Sequence, residues 1–264
     1  MKFRLLSFNV QNRRTERTAH LRSRMAEIAD LILAQKPDAV CLQEVLPEAY
    51  PYLLERIAPK DAVFYPREDG THTGEGVPIM LLGDCFSVFH SDRFWLSPTP
   101  DEPSIGWKAR CHRLAGVLGL HPNQDPETRV WLINLHLDHK SRESRARSLE
   151  LLEQRLETYD RNPDDHILLC GDFNMRPRNP LFQELLSGPP GFKDASRKEG
   201  KPDRSQTFHG WSPLRLGRGR LDYCFHTPEL HCQEYHVIPA AIDGRRLSDH
   251  NLILTEFEST RSAG

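Results

Sequence analysis

Short, almost uninterrupted apolar runs recur along the chain, and most of them stop at a polar residue. Residues 3–10, 38–43, 77–82, 86–90, 114–120, 129–137, 166–170, 220–226 and 251–257 have the length and composition of strands. The run at 166–170 is wholly apolar, which predicts a strand buried on both faces. A different period lies between these runs. Leu21, Met25, Ile28 and Ile32 fall on one face of a helix that stops at Lys36-Pro37. Ala146, Leu149, Leu152, Leu156 and Tyr159 mark a second helix, ended by Asn162-Pro163, and residues 50–57 a third. Residues 98–106 and 187–220 are rich in glycine, proline and charge and read as loops, and residues 259–264 as a frayed tail. Strands and helices interleave with no repeat, low-complexity block or linker. The pattern predicts an α/β fold in which residues 1–264 form one domain, with two sheets packed together and helices outside.

Composition narrows the class. With 264 residues, 38% hydrophobic and 27% charged, the chain has the make-up of an ordinary globular protein able to bury a core unaided. Its 35 basic and 37 acidic residues give a formal charge of −2. A clamp for long duplex nucleic acid needs a basic excess, because phosphate neutralisation drives such binding. Only a local rim is open, with Arg215, Arg218, Arg220, Arg245 and Arg246 as its candidates. Six cysteines are scattered without a CxxC pair, which predicts free thiols rather than a zinc site. The N-terminal apolar stretch is too short for a signal peptide, and no run approaches the ~18–20 apolar residues of a membrane span. The expectation is a cytoplasmic protein with no stable membrane association; its oligomeric state is left open.

The polar residues that close the apolar runs carry the chemistry. Asn9 follows LLSF, Glu44 follows AVCLQ, and His136 lies in NLHLDH. Asp172 and Asn174 lie in LLCGDFN, Asp222 in GRLDY, and Asp249 and His250 in LSDH. Any one of them is an ordinary turn residue or helix cap. Together they suit attack on a phosphate ester, because polar groups at strand ends of an α/β sheet face a ligand crevice. A hard cation such as Mg²⁺ (or Mn²⁺) takes carboxylate oxygens, which Glu44 and Asp249 supply, with Asn9 as a neutral ligand or water holder. Asp172 is the candidate base for the attacking water, and Asn174 holds that water or a phosphate oxygen. His250 stabilises the charge of the transition state with Asp222 orienting its imidazole, and His136 contacts another phosphoryl oxygen.

The series FNV, LQE, NLHLDH, GDFN, GRLDY and SDH resembles the endonuclease/exonuclease/phosphatase superfamily, from Phe8 to His250. The resemblance implies a four-layer α/β/β/α sandwich with the site at one edge of the packed sheets. It also implies a metal environment at Asn9, Glu44 and Asp249. Asp172 and Asn174 resemble its water-activating and phosphate-binding pair, Asp222 and His250 its Asp-His pair, and His136 its phosphate-contacting histidine. A narrower bacterial subgroup is similar at FWLSPTPDEPSIGWKARCHRLAGV, NLHLDHKSRESRARS and TFHGW. His112-Arg113 stands where that subgroup often has Pro-Arg, so Arg113 keeps the matching position.

Further candidates border these motifs. Arg113 and Arg145 could clamp phosphate through bidentate guanidinium contacts, although Arg145 equally suits a solvated first helical turn. Asp138 and His139 extend the site or simply close a strand. His209, Trp107 and Trp211 line the mouth of a cleft or anchor loops. The expected activity is metal-dependent hydrolysis of a phosphomonoester or phosphodiester, a small molecule or a short or single-stranded nucleic acid. Two other classes compete. One is a phosphate-ligand binding protein on the same fold. The other is a serine hydrolase using Ser248, Asp249 and His250, which the absence of a GxSxG elbow disfavours.

Overall fold

The computed structural model describes residues 1–13, 17–198, 201–202, 205–211 and 219–259. The chain opens with strand β1 (Lys2–Asn9), helix α1 (Thr18–Ala34), strand β2 (Ala39–Gln43) and helix α2 (Tyr50–Ile57). Strands β3 (Asp61–Val63), β4 (Ile79–Leu81), β5 (Phe86–Trp95), β6 (Leu114–Pro122) and β7 (Val130–His136) follow. Helix α3 (Arg142–Thr158) leads to β8 (His166–Asp172) and α4 (Pro180–Ser187). Five short strands come next: β9 (Lys193–Asp194), β10 (Arg197–Lys198), β11 (Lys201–Pro202), β12 (Asp222–His226) and, after a longer β13 (Leu230–Ile238), β14 (Ala241–Ile242). Strands β15 (Arg245–Arg246) and β16 (Leu252–Ser259) close the chain.

Two six-stranded mixed sheets carry the fold, in the orders β13-β16-β1-β2-β4-β3 and β5-β6-β7-β8-β12-β9. Their alternation explains the layers. Along β1, Phe3 and Leu5 turn toward a core shared with Leu118, Leu132, Leu168 and Cys170 of the other sheet. Leu6 and Phe8 turn the opposite way, onto Met25, Ile28 and Ile32 of α1 and Leu53 of α2. On the second sheet, Trp131, Ile133 and Leu135 meet Leu149, Leu152 and Leu156 of α3 and Phe182 of α4. Successive side chains of a strand point to opposite faces, so strands apolar at every position need cover on both sides. The result is the four-layer α/β/β/α sandwich.

The structure departs from the sequence pattern at the edges. Strand β13 pairs with β16 at the rim of the first sheet, and its LHCQEYHVI pattern mixes buried with exposed positions. β5 runs on to Trp95 past a bulge between Val88 and His90. α4 is a further short helix. Its start is legible after the fact, since Asn179 accepts a hydrogen bond from the Leu181 N–H and Pro180 occupies the first turn. The stretch 187–220, expected as loops, holds β9, β10 and β11 among its described residues. No disulfide joins the six cysteines. No helix among the described residues is long and apolar enough to cross a membrane.

One glycine sets the level of the site. Gly171 has φ +138°, and a Cβ there would lie 1.9 Å from the Leu135 carbonyl oxygen on β7. Gly171→Ala is therefore expected to destabilise the fold by about 2–4 kcal/mol through strain and overpacking. Urea unfolding checks this, and an unchanged midpoint would contradict it.

Candidate active site

Strand register brings the predicted residues to one edge. In the second sheet, His136 pairs with Asp172 across β7 and β8, and Asp172 pairs with Asp222 across β8 and β12. In the first sheet, Asn9 and Gln43 end the parallel pair β1 and β2, and Glu44 follows at φ +59°. Asn174 is likewise left-handed, at φ +50°. Non-glycine residues resist that conformation, and such strain concentrates at functional sites. A polar bridge fixes the two sheets beneath this edge. Gln43 donates from Nε2 to Asn134 Oδ1 at 2.8 Å, and Asn134 donates from Nδ2 to the carbonyls of Leu42 and Pro78.

A cleft of about 640 Å³ opens above. Glu44, Arg113, His136, Asp172, Asn174, Asp249 and His250 all line it. Asn9 and Asp222 lie just beneath. The Asn9 amide donates from Nδ2 to Glu44 Oε1 at 2.9 Å and to Asp172 Oδ2 at 3.1 Å. Its Oδ1 accepts the Gln11 N–H at 3.0 Å, so in this orientation Asn9 holds two carboxylates together rather than offering a free oxygen ligand. Asp172 Oδ1 accepts the Asn174 N–H at 2.8 Å. Asp172 Oδ2 stands 3.5 Å from His136 Nε2 and 3.7 Å from His250 Nε2. His250 Nδ1 lies 2.8 Å from Asp222 Oδ2. Asn174 Nδ2 reaches His136 Nε2 at 3.1 Å and the Leu137 carbonyl at 3.0 Å.

Burial and charge set the protonation states. Burial, reinforced by Asp222, pushes Asp172 up to about 7. Burial pulls His250 down, but Asp222 and Asp172 outweigh it and raise the imidazole to about 10. Burial, with the charges of Arg113 and Arg67, holds His136 well below the usual histidine range. Burial and the neighbouring Glu75 raise Glu44. The edge thus sets a neutral imidazole and a charged one on either side of a carboxylate that titrates near neutrality. Among the described residues, two groups have metal-ligand spacing: Glu44, His136 and Asp172, and Asp172, Asp222 and His250, with ligand atoms within 4.8 Å of one another in each. Oxygen-rich donors suit a hard divalent cation, so the site fits Mg²⁺ or Mn²⁺ chemistry.

Of the bordering candidates, Arg113 and His139 line the cleft, whereas Asp138, Arg145, Trp107, His209 and Trp211 do not. Asp138 is fully buried, and its carboxylate accepts the N–H groups of Arg110, Lys140 and Ser141, which fixes the strand-end loop. Arg145 donates to the Asp138 carbonyl from the first turn of α3. Trp107 gives its carbonyl to the Ser141 hydroxyl, and His209 contacts the Gly210 carbonyl and Arg246. Of the described rim candidates, Arg246 is exposed and donates from Nη1 to the Gly210 carbonyl. Arg220 is buried in an ion pair with Asp194, and Arg245 pairs with Glu27. Arg215 and Arg218 lie outside the described residues. Ser248 is no exposed nucleophile. Its buried hydroxyl donates to the Asn9 carbonyl and accepts the His250 N–H.

The cleft also contains residues the motif pattern did not single out, namely Asn12, Arg67, Glu75, Cys111 and Phe208. Asn12 joins Glu44 to Glu75, through its backbone N–H to Glu44 Oε2 at 2.8 Å and its Nδ2 to Glu75 Oε2 at 2.6 Å. Phe208 sets its ring 4.9 Å from the His250 ring. Asn12, Arg67 and Glu75 sit on irregular segments outside any motif, whereas Cys111 and Phe208 lie inside the subgroup-like stretches without being singled out there.

Comparison with known proteins follows the same lines. No curated protein sequence matches the chain. Among solved structures, an endonuclease/exonuclease/phosphatase from Bacteroides vulgatus superposes with TM-score 0.86 at 24% identity, covering 98% of this chain and 99% of its own. A mannosyl-6-phosphatase from Bacteroides thetaiotaomicron gives TM-score 0.84 at 24% identity, covering 97% of this chain and 99% of its own. TDP2 of D. rerio, complexed with a single-strand DNA product, gives TM-score 0.78 at 20% identity, covering 98% and 99%. At these identities the likeness is one of fold. A family model decides membership: matched from residue 6 to 250, the chain belongs to the endonuclease/exonuclease/phosphatase family, a family of phosphoester hydrolases.

Proposed function

We propose that this chain hydrolyses a small or single-stranded phosphate ester with Mg²⁺ or Mn²⁺, through residues 1–264 acting as one catalytic unit. The observation that carries the reading is Asp172, tied through Asn9 to Glu44 on one side and facing the His250–Asp222 pair on the other. Glu44 and Asp249 would hold the ion, with Asn9 keeping Glu44 in place. The cation supplies positive charge that offsets the anionic substrate. Asp172 accepts a proton from the attacking water at Oδ2, and Asn174 steadies that water or a phosphoryl oxygen. His250, protonated because Asp222 lies against Nδ1, donates from Nε2 to a phosphoryl oxygen as charge builds there. Neutral His136 contacts a second oxygen. Arg113 adds a guanidinium to the same cleft. The mannosyl-6-phosphatase and the DNA-bound TDP2 bracket the substrate range that this fold accommodates. A panel of nucleotide, abasic duplex, single-stranded DNA, inositol phosphate and phospholipid, run with each metal, tests the reading. Turnover confined to the abasic duplex or to the phospholipid would contradict it.

Two outcomes follow for the ion and the base. Glu44→Gln is expected to weaken Mg²⁺ binding by more than the about 10–100-fold typical of an outer-shell partner, as calorimetry would read. Unchanged affinity would remove Glu44 from the ion's ligands. The pH profile of kcat/KM should be bell-shaped. Activity rises as Asp172 loses its proton, with an acid limb at about 7 or lower once a cation draws the carboxylate down. It falls again as His250 loses its proton, near a pH of about 10. A profile without the alkaline limb would contradict the role given to His250.

A further inference from the structure

Behind His136 the cleft ends in a wall of which the proposed reaction uses only the Arg113 guanidinium. Arg67, Glu75 and Arg113 build it, with side-chain exposures of 12%, 9% and 4%. Arg67 Nη1 donates to Glu75 Oε1, and Arg113 Nη1 lies 3.9 Å from the same oxygen. Glu75 Oε2 takes Asn12, so both oxygens of this carboxylate are engaged. Behind Arg113, Nε is 3.8 Å from Asp138, whose oxygens already accept three backbone N–H groups. Arg113 Nη2 contacts His139 Nδ1 at 3.2 Å. The wall is anchored from outside by Trp95, whose Nε1 donates to the Arg67 carbonyl at 2.6 Å. Arg67, Glu75, Arg113 and His136 also enclose a small void of about 10 Å³ with Val77 and Leu114, which sets the wall directly against His136.

This arrangement is costly as it stands. Arg67 Nε, Arg113 Nε and Arg113 Nη1 are buried without a hydrogen-bond partner. A buried guanidinium with unmade hydrogen bonds costs stability, and here the carboxylates of Asp138 and Glu75 offset only part of that cost, at 3.8 and 3.9 Å from Arg113. Two guanidinium groups meet two carboxylates here, Glu75 and Asp138, so what the wall offers the cleft is guanidinium donors rather than net charge.

We propose that the wall selects phosphomonoester dianions over phosphodiesters, with Arg113, aided by Arg67, receiving the phosphoryl oxygen that a diester uses for its second ester branch. The inference rests on the phosphoester-hydrolase reading of the same cleft. A monoester presents three non-bridging oxygens and about two negative charges near neutrality. A diester presents two such oxygens and one charge. Its third position carries carbon, which would lie against buried guanidinium groups and leave their N–H donors unmade. Guanidinium donors recognise phosphoryl oxygens as pairs and with charge assistance, so the dianion gains most from them.

The test compares kcat/KM for p-nitrophenyl phosphate and bis-p-nitrophenyl phosphate, with Mg²⁺ or Mn²⁺ in excess, and inhibition by inorganic phosphate. The wild type is expected to prefer the monoester. Arg113→Met should lower the monoester-to-diester ratio by about 10-fold or more and weaken phosphate inhibition in step, while Arg113→Lys recovers part of both. Arg67→Gln gives the same sign, and it decides the matter if Arg113→Met does not fold. A wild type that prefers the diester overturns the selection while leaving the hydrolase reading intact. So does an unchanged ratio in a folded Arg113→Met variant. Absence of turnover of either ester with any divalent metal overturns the hydrolase reading, and the selection with it.

Discussion

Asp172→Asn is expected to lower kcat by about 10²–10⁴-fold while the protein remains folded, the range for removing a positioned general base. The amide keeps the volume and its one oxygen can still accept the Asn174 N–H, but its NH2 then faces the Asn9 NH2 donor, and it accepts no proton near pH 7. The carboxylate it replaces sits between His136 and His250, at 3.5 and 3.7 Å from Oδ2. Burial and Asp222 bring it to about 7, where it can take a proton from water and release it again. Steady-state kinetics beside a thermal melt check the expectation. A variant that turned over at the wild-type rate would move the base elsewhere in the cleft.

His250→Gln is expected to cost a further large factor, about 10²–10³ in kcat, as when one donor to a developing oxyanion is removed. The reason lies in the pair rather than in the ring alone. Asp222 sits level with Asp172 on the neighbouring strand and holds the imidazole charged, at about 10. Asp222→Asn removes the dominant cause of that charge. It should bring the alkaline limb of the pH profile down toward the usual histidine range, a shift that a merely structural role would not produce. The double variant should lose little more than His250→Gln alone, because the two residues act as one unit. Losses that multiply would separate them.

Much of this site was legible because it lies where apolar runs end. A strand apolar on both faces must leave the core at some residue, and Asn9, Glu44, His136 and Asp172 are those residues. Register then made their proximity a consequence of the fold: His136, Asp172 and Asp222 fall in one row because β7, β8 and β12 are neighbours. The missing part follows a different logic. Arg67 and Glu75 lie on an irregular segment between β3 and β4, and their partner Arg113 arrives from in front of β6. No periodicity announces a contact of that kind. Asp138 misled in the opposite direction. Its place after His136 suggests a ligand, but its carboxylate is consumed by the turn it closes, a common fate of aspartate at strand ends. Arg220 misled similarly, since it serves a buried ion pair with Asp194 and stacks on Tyr223 at 4.2 Å. Strand β13 escaped because a sheet-edge strand with one exposed side need not look apolar.

The central claim is that one cleft, organised by Asp172 between Glu44 and the His250–Asp222 pair, breaks phosphate esters with the help of a divalent cation. The most direct measurement is nitrophenol release from p-nitrophenyl phosphate and its bis ester, by the wild type and Asp172→Asn. Each is assayed with Mg²⁺, with Mn²⁺ and with EDTA, and p-nitrophenyl acetate serves as the acyl-ester control. The account predicts turnover of phosphate ester by the wild type with metal, its loss in EDTA, its recovery on adding the ion back, and its near-absence in Asp172→Asn. Equal turnover in EDTA, or cleavage of the acetate in place of the phosphate esters, would contradict it.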